Sequence, residues 1–338
     1  MKLHPSPAGF ARLPARRLIT VGAIAGTIVG ASAIAALADS NGSGSQPGQV
    51  MVTSASGMEG SFAFRTIDNQ ADPTFNQLLG INDHGRISGY FGSGADAAHP
   101  NKGYTVSRPY AQANFKNENF PGSVQTQVVG INNRGTTVGF YVDAAGANIG
   151  FVRRFGVFTS VINPATPAQG GVNQLLGLNN EGMAAGFYND AGGAAHGYIY
   201  NVTAMAFSPV TLPVAADSVT ATGINDAGDI SGFYTVGHIT NGFVLDEDHG
   251  FRKIRLGAGT NTQALGINQD GQVVGSFVDG AGTMHGFVWS RGRTRQIDDP
   301  NHGAGGTLVN GLNDRGQLVG FYVDNAGNTH GFLASSHR

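Results

Sequence analysis

The sequence predicts an all-β chain, a six-bladed β-propeller of four-stranded blades whose ring is closed by an N-terminal strand. Three observations carry this prediction. One motif, Gly-(Ile/Leu)-Asn-x-x-Gly-x-x-x-Gly, occurs six times after residue 60. The composition suits short strands and tight turns, with 53 glycines and only 12% charged residues, against roughly 25% in an average soluble protein. A spare strand at the start of the repeats matches one that is missing at their end.

The first glycine of the motif stands at Gly80, Gly130, Gly177, Gly223, Gly266 and Gly311, at intervals of 50, 47, 46, 43 and 45 residues. A period in the forties is the signature of a propeller or a solenoid. The asparagine is Asn82, Asn132, Asn179, Asn225, Asn268 and Asn313, and the second glycine is Gly85, Gly135, Gly182, Gly228, Gly271 and Gly316. Asparagine accepts a hydrogen bond from the backbone two residues on, and glycine supplies a positive φ at a bulge that realigns the strands. These positions therefore have a structural explanation, and a catalytic role for them is not needed.

Each unit divides into four strands. In the fifth these are Thr262–Asn268, Gln272–Val278, His285–Trp289 and Thr294–Ile297, each rich in β-branched and aromatic residues and bounded by turn formers. The sixth unit ends at Arg338 after three strands, while Phe64–Asp68, before the first unit, has the pattern of a fourth strand. Pairing Phe64–Asp68 with His330–Ala334 closes a ring and leaves only short, protected edges. An open array would need distinct capping repeats, and none is visible.

Ahead of the repeats the sequence reads as an address. Residues 1–17 carry Lys2, Arg12, Arg16 and Arg17 without an acid, Leu18 to Leu37 is apolar or small, and Ala36-Leu37-Ala38 suits signal cleavage before Asp39. Residues 1–38 are thus expected to be a signal peptide, with Arg16-Arg17 suggesting the twin-arginine route and the general secretory route left open. A retained membrane anchor is the alternative, since about 20 apolar residues span a bilayer. Residues 39–60 read as a flexible linker and 61–338 as the propeller. Secretion follows from this division.

From the motif together with His-Gly-Phe about eleven residues after its last glycine, as in His285-Gly286-Phe287 and His330-Gly331-Phe332, the chain resembles the bacterial extracellular repeats of the HAF family. The resemblance covers roughly residues 61–334 and implies an exported protein with propeller-like repeats and no general assigned activity. Lys102, Ile149 and Asn241 replace the histidine in blades one, two and four.

The sequence narrows chemistry mostly by exclusion. There is no cysteine, and the formal net charge is −2, so no field favours nucleic acid or an anionic surface in general. No nucleophile elbow, phosphate-binding loop, zinc-helix motif or dinucleotide fingerprint is present. No cofactor, catalytic residue or metal site is nominated, and basic residues cluster only at Arg291, Arg293 and Arg295.

Asp190, Asp279 and Asp324 each precede a histidine by six residues, at His196, His285 and His330. Such pairs suit an oriented imidazole, but three copies favour a structural cross-strand pair. Gln77, Gln127, Gln174 and Gln263 precede the motif in four blades and are expected to line the axial channel, offering a polar ring to a small ligand. Blade one departs most from the repeat. Its loop from Gly92 to Lys102 carries Asp96 and His99, and its connection from Ser107 to Asn119 carries Arg108, Tyr110, Lys116 and Glu118. Both are assigned to one face as a candidate binding surface. The reading is a secreted, monomeric, non-catalytic binding module for an unknown extracellular ligand, polysaccharide or protein, touching a membrane only through an uncleaved signal segment. The alternative is a secreted propeller hydrolase or lyase acting on carbohydrate.

Overall fold

Alternation of apolar and small residues, interrupted by glycine turns, produces 24 strands in the computed structural model, which describes residues 61–246, 248–257 and 261–336. They form six antiparallel four-stranded sheets arranged as a six-bladed β-propeller. The expected signal peptide and linker lie outside the described residues.

Blade one comprises β2 (Asn76–Ile81), β3 (Ile87–Phe91), β4 (Lys102–Val106) and β5 (Phe115–Asn117). Blade two comprises β6 (Gln125–Ile131), β7 (Thr137–Val142), β8 (Asn148–Arg154) and β9 (Val157–Val161). Blade three runs from β10 (Asn173–Leu178) through β11 (Met183–Asn189) and β12 (Ala195–Asn201) to β13 (Ala206–Pro209). Blade four runs from β14 (Ser218–Ile224) through β15 (Ile230–Val236) and β16 (Ile239–Asp246) to β17 (Gly250–Ile254). Blade five has β18 (Thr262–Ile267), β19 (Val273–Val278), β20 (Met284–Ser290) and β21 (Arg293–Ile297), within two residues of the sequence-derived bounds. Blade six combines β22 (Thr307–Leu312), β23 (Gln317–Val323) and β24 (Thr329–Ser336) with β1 (Phe62–Thr66). Phe64 pairs with Ala334 and Thr66 with Phe332, so the N-terminal strand closes the ring.

Antiparallel strands put alternate connections at opposite ends of the ring. The turn face carries the Asn-x-x-Gly turns and the links between third and fourth strands. The loop face carries the links between second and third strands and from blade to blade.

The motif is explained residue by residue. The second glycine ends its turn with φ of 75°, 75°, 82°, 92°, 67° and 71° in blades one to six. The bulge lies elsewhere than expected: the ladder shifts inside the first strand, just before the first glycine, between Leu78 and Gly80 and at the five equivalent places. The first glycine lets adjacent blades meet near the axis, where a Cβ on Gly80 would lie 2.6 Å from the Val129 carbonyl oxygen. The third glycine faces a buried ring in register on the third strand, as Gly139 faces Phe151 and Gly320 faces Phe332. A Cβ on Gly275 would lie 1.8 Å from the Gln263 carbonyl oxygen and 2.9 Å from the Phe287 ring.

Hydrophobic burial runs between blades. Val138, Val152 and Val161 of blade two pack with Leu175, Leu178 and Tyr198 of blade three. At the closing seam Ile67, Val319 and Leu333 pack with Leu78 and Tyr104. Burial of each such side chain is worth roughly 1.5–3 kcal/mol, so every blade depends on both neighbours.

The two glycine roles are separable by substitution. Gly271→Ala meets open space and only a left-handed backbone, and should cost about 1–2 kcal/mol in denaturant unfolding. Gly275→Ala drives a methyl into backbone and should cost more than 3 kcal/mol or prevent folding. Equal costs would refute this division.

Candidate functional site

The axis is held by two closed rings of hydrogen bonds. Each motif asparagine accepts local turn amides at Oδ1, as Asn132 does from Arg134 and Thr136 at 3.1 Å. Its Nδ2 donates to the backbone carbonyl of the next blade's asparagine. The series Asn82→Asn132→Asn179→Asn225→Asn268→Asn313→Asn82 returns to its start with distances of 3.0, 3.0, 2.9, 3.2, 3.3 and 3.0 Å. The next residue repeats the pattern with its backbone N–H donating to a side-chain oxygen. Asp83, Asn133, Asn180, Asp226, Gln269 and Asp314 are linked in that order and back to Asp83 at 2.8, 2.9, 2.7, 3.0, 2.9 and 2.9 Å. Burial, with the Asp83 carboxylate beside it, raises the Asp314 carboxyl above its ordinary range. This second ring was missed in the sequence, although a side-chain oxygen stands after the motif asparagine in six blades of six.

Two small cavities lie on the axis. One is lined by Leu79, Val129, Leu176, Thr222, Leu265 and Asn310 with the residues that follow them, the other by the asparagine rings. Gln77, Gln127, Gln174 and Gln263 are not among the residues that line these two cavities. An innermost strand turns its side chains towards flanking blades as well as the axis. Gln127 Nε2 donates to Asn101 Oδ1 at 2.8 Å and Gln174 Nε2 to Asn148 Oδ1 at 3.3 Å, both in the preceding blade. Buried Gln77 Nε2, Gln174 Oε1 and Gln263 Oε1 have no protein partner.

The Asp–His pairs stand on the loop face. Asp190 Oδ2 lies 2.8 Å from His196 Nε2, and this bond, with backbone N–H donors, holds the Asp190 carboxyl below its ordinary range. In blades five and six the histidine is clamped on both nitrogens. His285 has Asp298 at 3.0 Å from Nδ1 and Asp279 at 3.4 Å from Nε2. His330 has Asp68 at 2.7 Å from Nδ1 and Asp324 at 3.3 Å from Nε2. Asp298 and Asp68 follow the fourth strand of the blade, so the clamp ties the end of that strand to a histidine of the third strand that is 13 or 262 residues away in sequence. Burial opposes charge on His330, but the two carboxylates outweigh it and raise its pKa above the ordinary value. Burial also raises Asp68 despite its bonds to His330 and the Gly331 N–H. Asp324 is lowered to about 2 by its bonds to Asn328, His330 and Ala326, which exceed the opposing effect of burial.

Blade one is divided between the two faces. Asp96 accepts from the Ala98 and His99 N–H groups and lies 3.1 Å from the His99 ring, exposed on the loop face. Arg108 and Tyr110 belong to the link between β4 and β5 and so to the turn face, which corrects their assignment to one surface. Tyr110 is buried and its hydroxyl donates to the Gly85 carbonyl at 2.8 Å. It seals a turn, and Arg65 covers its ring at 5.3 Å. Glu118 is also buried, where the other outer strands carry residues such as Ile67 and Val161. It accepts from Arg86 at 2.9 Å, Arg153 at 3.3 Å, Thr105 at 2.8 Å and Thr137 at 2.9 Å, joining blades one and two. A buried carboxylate so fully paired is a fastening.

Among the described residues, no group of three or more histidine and acidic side chains is placed to hold a metal ion.

No family model matches the chain, and no curated protein matches it. Solved propellers do resemble it. AofleA from Arthrobotrys oligospora aligns over 84% of this chain and 91% of its own, with TM-score 0.50 and 11% identity. TolB from Acinetobacter baumannii aligns over 79% of this chain with TM-score 0.49 and 10% identity, and the chain spans 66% of TolB's length. At such identities the likeness is one of fold.

Two substitutions test the electrostatics. His330, with its raised pKa, contributes stability that is complete below its unfolded pKa of about 6.5 and is lost as pH rises through the folded value. His330→Gln should therefore lower the melting temperature most below its unfolded pKa of about 6.5 and progressively less as the pH rises above it; a deficit independent of pH would contradict the clamp. Buried Asp299 has one carboxylate oxygen without a partner, and burial raises its pKa. Blades two and six carry Asn163 and Asn69 at this place. Asp299→Asn should stabilise by about 1 kcal/mol at pH 7, with the gain vanishing below pH 4, where the native acid is protonated. A destabilised variant at pH 7 would sink this account.

Proposed function

We propose that the chain is an exported, monomeric extracellular repeat protein of the HAF type that acts as a non-catalytic binding module. The observation that carries this reading is the engagement of both imidazole nitrogens of His285 and His330 by carboxylates. A general base or a metal ligand needs a free nitrogen pointing into a cleft. The asparagines and Glu118 are similarly occupied in joining blades. Export is supported by the order of basic, apolar and small residues before Asp39.

Polysaccharide and protein remain the ligand classes. The loop face offers exposed Asp96, His99 and the Asp190–His196 pair for polar recognition. The test is a glycan and peptide binding array on the protein recovered from culture medium, with product analysis of every ligand found. Binding without turnover, and a mature chain beginning at Asp39, are expected. A released product that disappears in His196→Ala or His285→Ala would replace this reading with a carbohydrate-cleaving enzyme.

A further inference from the structure

The hairpin tips of the turn face hold residues that the fold does not account for. Phe155 is 89% exposed at the tip between β8 and β9, Val157 beside it is 65% exposed, and Met205 is 67% exposed at the corresponding tip of blade three. Phe155 and Met205 also adopt positive φ, at 51° and 55°. Glycine or asparagine is the residue type suited to that conformation. Neither burial nor backbone preference therefore explains an aromatic and a thioether side chain at these points.

Cations flank them on the same face. Arg154 stands 5.0 Å over the Phe155 ring. Arg134 is exposed in the motif turn of blade two, Arg108 in the hairpin of blade one and Arg315 in the motif turn of blade six. The acids of this face include Asp83, Asp226 and Asp314 around the axial cavity, and exposed Glu181, Asp248 and Asp270 in blades three, four and five, so the arginines stand clear of them only at the hairpin tips of blades one and two. The loop face carries Asp68, Asp190, Asp279 and Asp324, so the hairpin-tip arginines of blades one and two are the part of the disc that suits an anionic partner.

β24 leaves the loop-face hairpin at Thr329 and runs to the turn face, and antiparallel β1 therefore begins on the turn face. The chain enters the propeller there, at Phe62, and the apolar run Leu18–Leu37 lies upstream in the sequence.

We propose that the turn face docks on an anionic membrane surface, with Phe155 and Met205 entering the interfacial layer and the arginines of blades one and two meeting acidic headgroups. Apolar tips ringed by cations are the chemistry of peripheral membrane attachment. Exposed Met205 and Val157 offer nothing to the hydroxyls of a glycan, which is why lipid is preferred to an acidic polysaccharide. The proposal goes beyond the binding module read above, since it concerns the opposite face.

The test uses the full chain with Phe155→Trp, and separately with Val236→Trp on the loop face. The native Trp289 is buried and serves as constant background. Tryptophan emission and acrylamide quenching are measured with phosphatidylcholine vesicles, with and without phosphatidylglycerol. Blue-shifted, quencher-protected emission from position 155 with the anionic vesicles alone, and none from position 236, is expected. Arg134→Gln and Arg154→Gln should each weaken partitioning about fivefold at low salt, and lysine at either position should restore it. Vesicle-bound protein with unshifted emission at position 155 would mean attachment through the N-terminal segment alone and overturn the proposal. Equal shifts at both faces, or with neutral vesicles, overturn it too. Binding to heparin or DNA without a shift assigns the arginines to a soluble polyanion, with the same result. A soluble array ligand that binds while position 155 stays unmoved removes the membrane face and leaves the binding module standing.

Discussion

A ring of six blades must meet itself, and the hydrogen bonds around the axis are where it does. Each asparagine uses its oxygen to shape its own turn and its amide nitrogen to hold the next blade. A single residue type thus couples local geometry to assembly. The link from Asn313 to Asn82 matches the other five, although 231 residues separate its partners. Such a bond contributes about 1 kcal/mol net, but a buried carbonyl left without its donor costs about 1–3 kcal/mol. Five blades joined in this way leave an unmet donor at one end and an unmet acceptor at the other, and the sixth satisfies both.

The rest of the motif follows from drawing the blades this close. The first glycine gives the inner strands room to approach one another. The third gives the ring of the third strand room to lie over the second. Aromatic residues at Tyr104, Phe151, Tyr198, Phe243, Phe287 and Phe332 fill that room in every blade and are almost fully buried. At the outer edge the closing blade needs a second device, because its fourth strand comes from the other end of the chain. The ladder between β1 and β24 supplies backbone bonds, and Asp68 adds a carboxylate to His330. Blade five repeats that clamp through Asp298 with no ring to close, so the clamp belongs to the repeat and closure exploits it.

Much of this was legible because the repeat encodes it six times. Blade number, strand boundaries and the closing strand follow from spacing and from the two ends of the array. The rest depended on directions that a linear pattern does not record. The glutamines follow the strand alternation, yet the alternation alone does not distinguish the axis from the preceding blade. Asp96 and Tyr110 are neighbours in sequence, yet one further strand reversal puts them on opposite faces. Tyr110 has the composition of a binding residue and the position of a plug. The arginines are scattered along the chain and gather only when the blades close into a disc.

Repetition also separates what the scaffold uses from what remains. A residue present in every blade is explained by the ring, and a residue in one blade that completes a buried network, as Glu118 does, is explained by its partners. Phe155 and Met205 satisfy neither condition. Their blades would fold with the Arg291-Gly292 type of tip seen in blade five, where a charged residue takes the left-handed position and meets only water. An apolar side chain held nine-tenths exposed gains nothing in the isolated protein and raises the risk of unwanted association. Phe155 and Met205, 89% and 67% exposed at adjacent hairpin tips on the face where the chain enters, stand beside exposed arginines, a pattern that packing does not produce. On the docking proposed above, the burial they lack comes from the surface that this face meets.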